Sequence, residues 1–266
     1  MFYNAKNENI KIGDTDCDFI SFGTGTENLI MLPGVGDGLK TARGIAVPFA
    51  FMYSGFAERF KVYVFSRRNN LPEGFTTADM ADDIDEIMAQ RGIESAHVFG
   101  VSQGGMISQQ LAIRHPNRVN KLVLAVTASR SNDIMKEALE TWIEMADNDD
   151  YAGIMLDTAM RSYTGKYLER GIKMNKLLSM MKPKGYDRFK ILCRSCLEHN
   201  TYDQLDQIKS PTLIIGADQD MVVSAEASRE LQERIPSSEL FIYEGYSHGV
   251  YEQAKDFNDR VIEYLV

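Results

Sequence analysis

Cysteine, tryptophan and proline are all scarce in this sequence: three, one and seven of them among 266 residues. Cys17, Cys193 and Cys196 are too few and too unevenly spaced for a disulfide framework. Cys193-x-x-Cys196 has half of a zinc or redox spacing, but without a second pair or a βαβ setting the two thiols read as helical core or surface groups. No apolar run can span a bilayer: the longest nearly apolar stretch, 44–57, is short and carries Pro48. The opening residues Met1-Phe2-Tyr3-Asn4-Ala5-Lys6-Asn7 lack an apolar signal region, so a cytoplasmic protein is expected. Basic clusters are missing too. None exceeds Arg67-Arg68, and 29 Lys and Arg against 38 Asp and Glu leave a formal charge of −9. A nucleic-acid partner is therefore excluded, and the acidic balance favours solubility.

What remains is ordinary globular composition, 44% hydrophobic and 25% charged. At roughly 150 residues per domain the length fits one core with an insertion as well as two domains. Short apolar runs alternate with helical periodicity, which argues an α/β fold with a mostly parallel sheet. Buried strands are expected at residues 29–32, 62–65, 96–99, 122–126, 211–215 and 240–243, with a marginal antiparallel hairpin before Gly23. Thr76 and Asp79 form a capping box ahead of a helix whose apolar face is Met80, Ile84, Ile87 and Met88. A second helix follows Gly105 and stops at His115-Pro116. Further helices run from Ser224 to Pro236 and along Phe257, Val261 and Leu265. Between residues 131 and 207 no strand pattern occurs. The expected division is a core of residues 1–130 and 208–266 with a helical cap, 131–207, inserted.

The sharpest motif is Gly100-x-Ser102-x-Gly104, set between a strand and a helix. A serine on so tight a turn is lifted clear of the sheet, and the glycines let neighbouring backbone pass close. Free N–H groups at the start of the following helix point at developing negative charge. A serine hydroxyl needs a base. His97 falls inside a strand, His115 at a helix end where it can cap carbonyls, and His199 in the insertion, where a surface position is expected. His248, in Gly245-Tyr246-Ser247-His248-Gly249, follows the last strand at the carboxyl edge of the sheet, so it is the candidate base. The loop Gly216-Ala217-Asp218-Gln219-Asp220 offers two carboxylates, Asp218 and Asp220, to orient it.

Taken together, Gly100-Val101-Ser102-Gln103-Gly104-Gly105, the Asp218–Val223 loop (218–223) and Ser247-His248 resemble the α/β-hydrolase fold superfamily, in its lidded branch of esterases, C–C hydrolases and cofactor-free haloperoxidase-like enzymes. The resemblance covers the chain outside the insertion. It implies a Ser102, Asp220, His248 triad, because the family's acid precedes a short apolar pair as Asp220 precedes Val222-Val223; Asp218 would then hold an Asx turn. It also implies an oxyanion hole from the backbone N–H groups of Val35 and Gln103. Here the sequence departs from the family's His-Gly-x-Gly: Pro33 stands in place of the histidine in Pro33-Gly34-Val35-Gly36, so any bracing by that side chain is lost.

The implied activity is a serine hydrolase acting on a small, largely apolar ester or related carbonyl substrate, with no metal and no cofactor. C–C hydrolysis, acyl transfer and perhydrolysis use the same triad, and a ligand-binding protein on this scaffold is the reading from another class. Gly34-x-Gly36-x-Gly38 lacks the spacing of a dinucleotide loop. Arg67-Arg68 reads as a solvated or salt-bridged pair. Seven of the 14 methionines fall in the insertion, Met145 and Met155 among them; some are expected to line an apolar pocket over Ser102.

Overall fold

Along the central strands, neighbouring side chains sort into two separate apolar clusters, as a period of two requires of strands covered on both faces. Val98 lies in one cluster and Phe99 in the other; Leu122 and Leu124 are divided in the same way from Val123 and Ala125, and Ile214 from Leu213 and Ile215. The computed structural model that shows this describes residues 2–266, apart from the side chains of 176, 178 and 179.

The chain opens with β1 (Lys6–Ile12) and β2 (Thr15–Phe22), followed by β3 (Glu27–Leu32), the short helices α1 (Ala46–Met52) and α2 (Ser54–Arg59), and β4 (Phe60–Arg68). Then come α3 (Thr77–Gln90), β5 (Ala96–Val101), α4 (Gln103–Arg114) and β6 (Val119–Ala125). Four helices succeed one another before the next strand: α5 (Asp133–Asp147), α6 (Tyr151–Ser162), α7 (Gly165–Leu178) and α8 (Asp187–Glu198). The chain closes with β7 (Thr212–Ala217), α9 (Ala225–Arg234), β8 (Ser238–Tyr243), α10 (Val250–Gln253) and α11 (Phe257–Leu265). The eight strands form one sheet in the order β1-β2-β4-β3-β5-β6-β7-β8. Only the β1–β2 and β2–β4 pairings are antiparallel. The fold class read from the sequence, a mostly parallel sheet flanked by helices, is the one observed.

The N-terminal hairpin is more than marginal. Cys17 and Phe19 pack on one side of the sheet and Ile20 and Phe22 on the other, so β2 is a full member covered on both faces. The stretch 44–57 forms α1 and α2, with Pro48 in the first turn of α1, where a missing N–H costs no helical hydrogen bond. The capping box at α3 is formed: Thr76 Oγ1 accepts from Asp79 N at 3.1 Å, and Asp79 Oδ2 accepts from Thr76 N at 2.8 Å.

Of the helices between β6 and β7, α5 and α6 begin with side-chain caps, Asn132 accepting from Met135 N and Asp150 from Gly153 N. A single bridge, Arg130 to Asn200, and the Thr201 N–Ser129 O bond of 2.7 Å tie the two ends of this segment together. Its apolar residues Met135, Leu139, Trp142 and Phe189 pack with Met106, Val222 and Val223 of the sheet's carboxyl edge. No helix among the described residues is long and apolar enough to cross a membrane.

His199 departs from its expected surface position. It is 3% exposed, between Thr77 Oγ1 at 2.8 Å from Nδ1 and Thr201 Oγ1 at 3.3 Å from Nε2, so it joins the end of α8 to the start of α3. Burial pulls its pKa down from 6.5 to about 3. Below pH 6.5 the unfolded chain takes up a proton that the folded chain refuses, so stability falls as pH drops from 6.5 toward 3. One such group contributes at most ~1.4 kcal/mol per pH unit. His199→Gln is therefore expected to flatten the fall of Tm between pH 6.5 and 4.5, measured by thermal unfolding; an unchanged slope would show that His199 is not the group responsible.

Candidate active site

The turn from β5 into α4 places Ser102 at φ 54° and ψ −121°, a left-handed backbone that few non-glycine residues adopt. Hydrogen bonds hold it there. Ser102 N donates to Ala125 O at 2.9 Å, and Ser102 O accepts from Gly105 N at 2.9 Å and Thr127 Oγ1 at 2.7 Å. A Cβ on Gly104 would stand 1.8 Å from Leu32 O, and one on Gly100 2.4 Å from Gly104 O. The motif glycines thus let α4 sit directly on β3 and β5. Val126, at the end of β6, is also left-handed at φ 43°, rare for a β-branched residue, and no local sequence signal announced it.

Asp220 lies on the loop after β7 and His248 on the loop after β8, both buried. His248 Nδ1 stands 2.9 Å from Asp220 Oδ2 and 3.1 Å from Oδ1. Asp220 Oδ1 also accepts from Val222 N at 2.8 Å and Val223 N at 2.9 Å. The side chains of this apolar pair are buried against Met135, Trp142 and Phe189 while their amides hold the carboxylate. Asp218 instead accepts from Gly245 N at 2.8 Å, staying on the turn. Ser247 Oγ donates to Arg161 O, and Gly249 N to Ser162 O at 2.7 Å, so the end of α6 anchors the His248 loop. Among the described residues no hydrogen bond joins Ser102 Oγ to His248, whose Nε2 carries none. The other histidines are engaged elsewhere: His115 lies 2.7 Å from Asp82, His97 faces Glu27 at 3.8 Å, and His199 is enclosed as described.

The loop after β3 lies against the serine. A Cβ on Gly34 would be 3.2 Å from Ser102 Cβ and 3.6 Å from Oγ. Val35 opens a 3-10 turn, Val35–Gly38, and among the described residues neither its N–H nor that of Gln103 meets an acceptor. The Gln103 side chain is fully buried and runs the other way: Nε2 donates to Leu192 O at 2.8 Å and Ser195 Oγ at 2.9 Å, both in α8. Ser195 Oγ in turn donates to Leu192 O, so it ties Gln103 to α8.

Arg67 and Arg68 do not behave alike. Arg68 is salt-bridged to Asp83, as expected of one of the pair. Arg67 is not solvated: 4% exposed, its Nη2 donates to Pro33 O and, at 3.0 Å, to Gln103 Oε1. Asp37, also buried, accepts from Arg67 N at 3.0 Å and from the guanidinium of Arg188 in α8. The three cysteines are free and buried; burial pushes the Cys196 thiol up to about 12 and Cys193 well above its ordinary value, which leaves both inert.

A cavity of about 810 Å³ opens beside Gly34 and Gly36 and runs between α1 and α10. Phe49, Tyr53, Phe99, Tyr251 and Met52 supply its apolar wall, with Glu252 and Lys255 also on it. Burial pushes the Tyr53 hydroxyl up to about 12 and that of Tyr251 well above its ordinary value, so both remain neutral donors. The insertion contributes Tyr167 to this cavity and none of its methionines. Met160, Met174, Met180 and Met181 are exposed, Met135 and Met145 pack in the cluster with Met106, Val222 and Val223, and Met155 is half-buried, so none of the seven lines this cavity.

With a strand–serine–helix turn, a buried Asp–His pair and a glycine loop on one sheet edge, the class is that of a hydrolase built on an α/β sheet. The chain belongs to the α/β-hydrolase fold family, whose model matches residues 27–255. A protein of Caulobacter sp. (strain K31) named, provisionally, carbamate hydrolase RutD is 28% identical over 217 residues, covering 78% of this chain and 81% of that one. The 3-oxoadipate enol-lactonase 2 of Acinetobacter baylyi is 25% identical over 212 residues, covering 77% and 79%. In structure, the α/β hydrolase MGS-M2 from a Medee basin deep-sea metagenome superposes with a TM-score of 0.87 at 19% identity, covering 97% of this chain and 96% of that one. The enol-lactonase of Burkholderia xenovorans LB400 gives 0.78 at 22% identity, covering 97% and 99%.

The close approach of Gly104 to Leu32 O sets a clear expectation. Gly104→Ala should force β3 and α4 apart and cost more than about 3 kcal/mol. Gly36→Ala, whose Cβ would meet nothing within 4 Å, should change stability by less than about 1 kcal/mol. Thermal unfolding of both variants checks the ranking.

Proposed function

We propose that this protein is a serine hydrolase of small, largely apolar esters and related carbonyl compounds, with Ser102 as nucleophile, His248 as base and Asp220 as its orienting acid. One observation carries the reading: a left-handed serine at a strand–helix turn shares the sheet's carboxyl edge with a buried Asp–His pair whose imidazole Nε2 is uncommitted. Ser102 Oγ attacks the carbonyl carbon while His248 Nε2 takes its proton, and Asp220 holds Nδ1–H and with it the tautomer. The N–H groups of Val35 and Gln103 receive the oxyanion. Collapse expels the leaving group, which takes the proton from His248. A water deprotonated by His248 then releases the acyl group and restores Ser102. The hydroxyl–imidazole contact closes when substrate docks, as is common in unliganded sites.

The aromatic cavity beside Gly34 supports a compact apolar substrate portion, and its neutral tyrosine hydroxyls suit a carbonyl or ring oxygen. Relatives named for carbamate and enol-lactone hydrolysis support esters, lactones and carbamates as the classes to assay. In this reading residues 131–207 form the cap, excluding water from the acyl-enzyme.

Ser102→Ala is expected to lower ester turnover by roughly 10⁴-fold or more with little change in Tm, and to abolish labelling by a fluorophosphonate. Asp220→Asn should cost on the order of 10³ to 10⁴ in kcat, and Asp218→Asn less than about tenfold. A labelled Ser102→Ala variant, or the reverse ranking of the two aspartates, would overturn the assignment concerned.

The cavity makes a second expectation. Phe49→Ala and Met52→Ala should shift the preferred acyl chain length by about 1–3 kcal/mol in relative kcat/KM across a nitrophenyl ester series. The exposed Met160→Ala and Met181→Ala should leave that profile as it is. If the insertion methionines move it and Phe49 does not, the acyl group lies elsewhere.

A further inference from the structure

Among the described residues the guanidinium of Arg67 has no charged partner. Arg67 is 4% exposed, and among the described residues no carboxylate oxygen lies within 4 Å of its guanidinium nitrogens. The nearby carboxylate, Asp37, spends its side chain on the Arg67 backbone N–H and on Arg188. Nε and Nη1 of Arg67 find no acceptor among the described residues. A buried charge left in this state costs folding free energy, and an apolar isostere at such a place is often neutral or stabilising. The one hydrogen-bonding nitrogen goes to two acceptors that belong to the site. Nη2 donates to Pro33 O, the carbonyl just before Gly34 and Val35, and to Oε1 of Gln103, the residue after Ser102.

One acceptor stands two residues before Val35 and the other is on Gln103, the two residues whose amides are assigned above to the oxyanion. Fixing the Pro33 carbonyl fixes the direction of the peptide that leads into Gly34-Val35, and fixing the Gln103 side chain holds the first turn of α4. Pro33 itself offers no side-chain donor, so the bracing has to come from elsewhere, and Arg67 is positioned to supply it. With Asp37 and Arg188 it makes a buried group of net charge +1 behind the loop. We infer that Arg67 is a positioning residue: its buried guanidinium locks the Pro33–Val35 loop (33–35) to the nucleophile elbow and sets a positive charge behind the oxyanion hole. This rests on the triad reading above. It predicts help to the transition state, where negative charge grows on the carbonyl oxygen, and little to ground-state binding.

The test compares wild type with Arg67→Met, Arg67→Gln and Arg67→Lys, each rate normalised to active sites titrated by stoichiometric acylation. The expected result for Met and Gln is a kcat 30- to 300-fold lower with KM within threefold. Inhibition by an aryl trifluoromethyl ketone, which forms a tetrahedral adduct, should weaken by a matching factor. Tm should stay the same or rise in Arg67→Met. Arg67→Lys, which keeps the charge and three donors, should lie within about tenfold of wild type. If Met fails to fold, Gln carries the comparison, and Lys reports the charge. A lower Tm with kcat per titrated site unchanged would make Arg67 a structural residue and overturn the inference, as would parallel losses in kcat and ground-state affinity. Failure of the wild type to be labelled at Ser102 would instead remove the triad reading, and this one with it.

Discussion

A side chain can sit in left-handed backbone between β5 and α4 only because space around it is kept empty of Cβ atoms. The position costs about 1–3 kcal/mol locally, and it persists because the sheet on one side and α4 on the other leave no alternative. Gly104 meets Leu32 O where any side chain would collide, and Gly105 does the same against Thr127. The approach that seats α4 on β3 also delivers the end of β3, and so Pro33 and Gly34, to the side of Ser102. One backbone contact thus fixes both the placement of Ser102 and the neighbour that faces it.

The helices inserted between β6 and β7 do more than cover this edge. Through Arg188, α8 grips Asp37 and the carbonyls of Arg67 and Arg68. A Cβ on Gly38 would lie 2.6 Å from Phe189 Cα, so the 3-10 turn is pressed against the same helix. At the other end of the site, Arg161 and Ser162 of α6 hold the His248 loop. Both loops that flank Ser102 are therefore bonded to the insertion, and their geometry depends on it. The cavity opens instead on the α1 and α10 side, where aromatic rings line it.

Much of this was legible in the chain because it is local. The strand runs, the Thr76 cap and the Gly100-x-Ser102-x-Gly104 turn each depend on residues a few positions apart. Asp220 and Asp218 could not be separated by the residues alone, since both stand on the loop after β7. Their hydrogen bonds part them: one accepts from Val222 and Val223 beside the imidazole, the other from Gly245. His199 and Arg67 misled for a common reason. A titratable side chain in a polar stretch looks solvated, and its burial is set by elements far along the chain, Thr77 for one and Pro33 and Gln103 for the other. The insertion methionines misled in the opposite sense, because methionine is apolar enough for a pocket wall yet also stands exposed on α6, α7 and the turn after it.

By itself the sequence determined the alternation of strands and helices, the serine turn and the histidine loop, because backbone propensity and side-chain period act over short distances. Tertiary structure alone decided which carboxylate the imidazole meets, where the cavity opens and which charges are enclosed. Those outcomes depend on through-space contacts between segments tens of residues apart, where desolvation and hydrogen-bond geometry, not local pattern, select the partner.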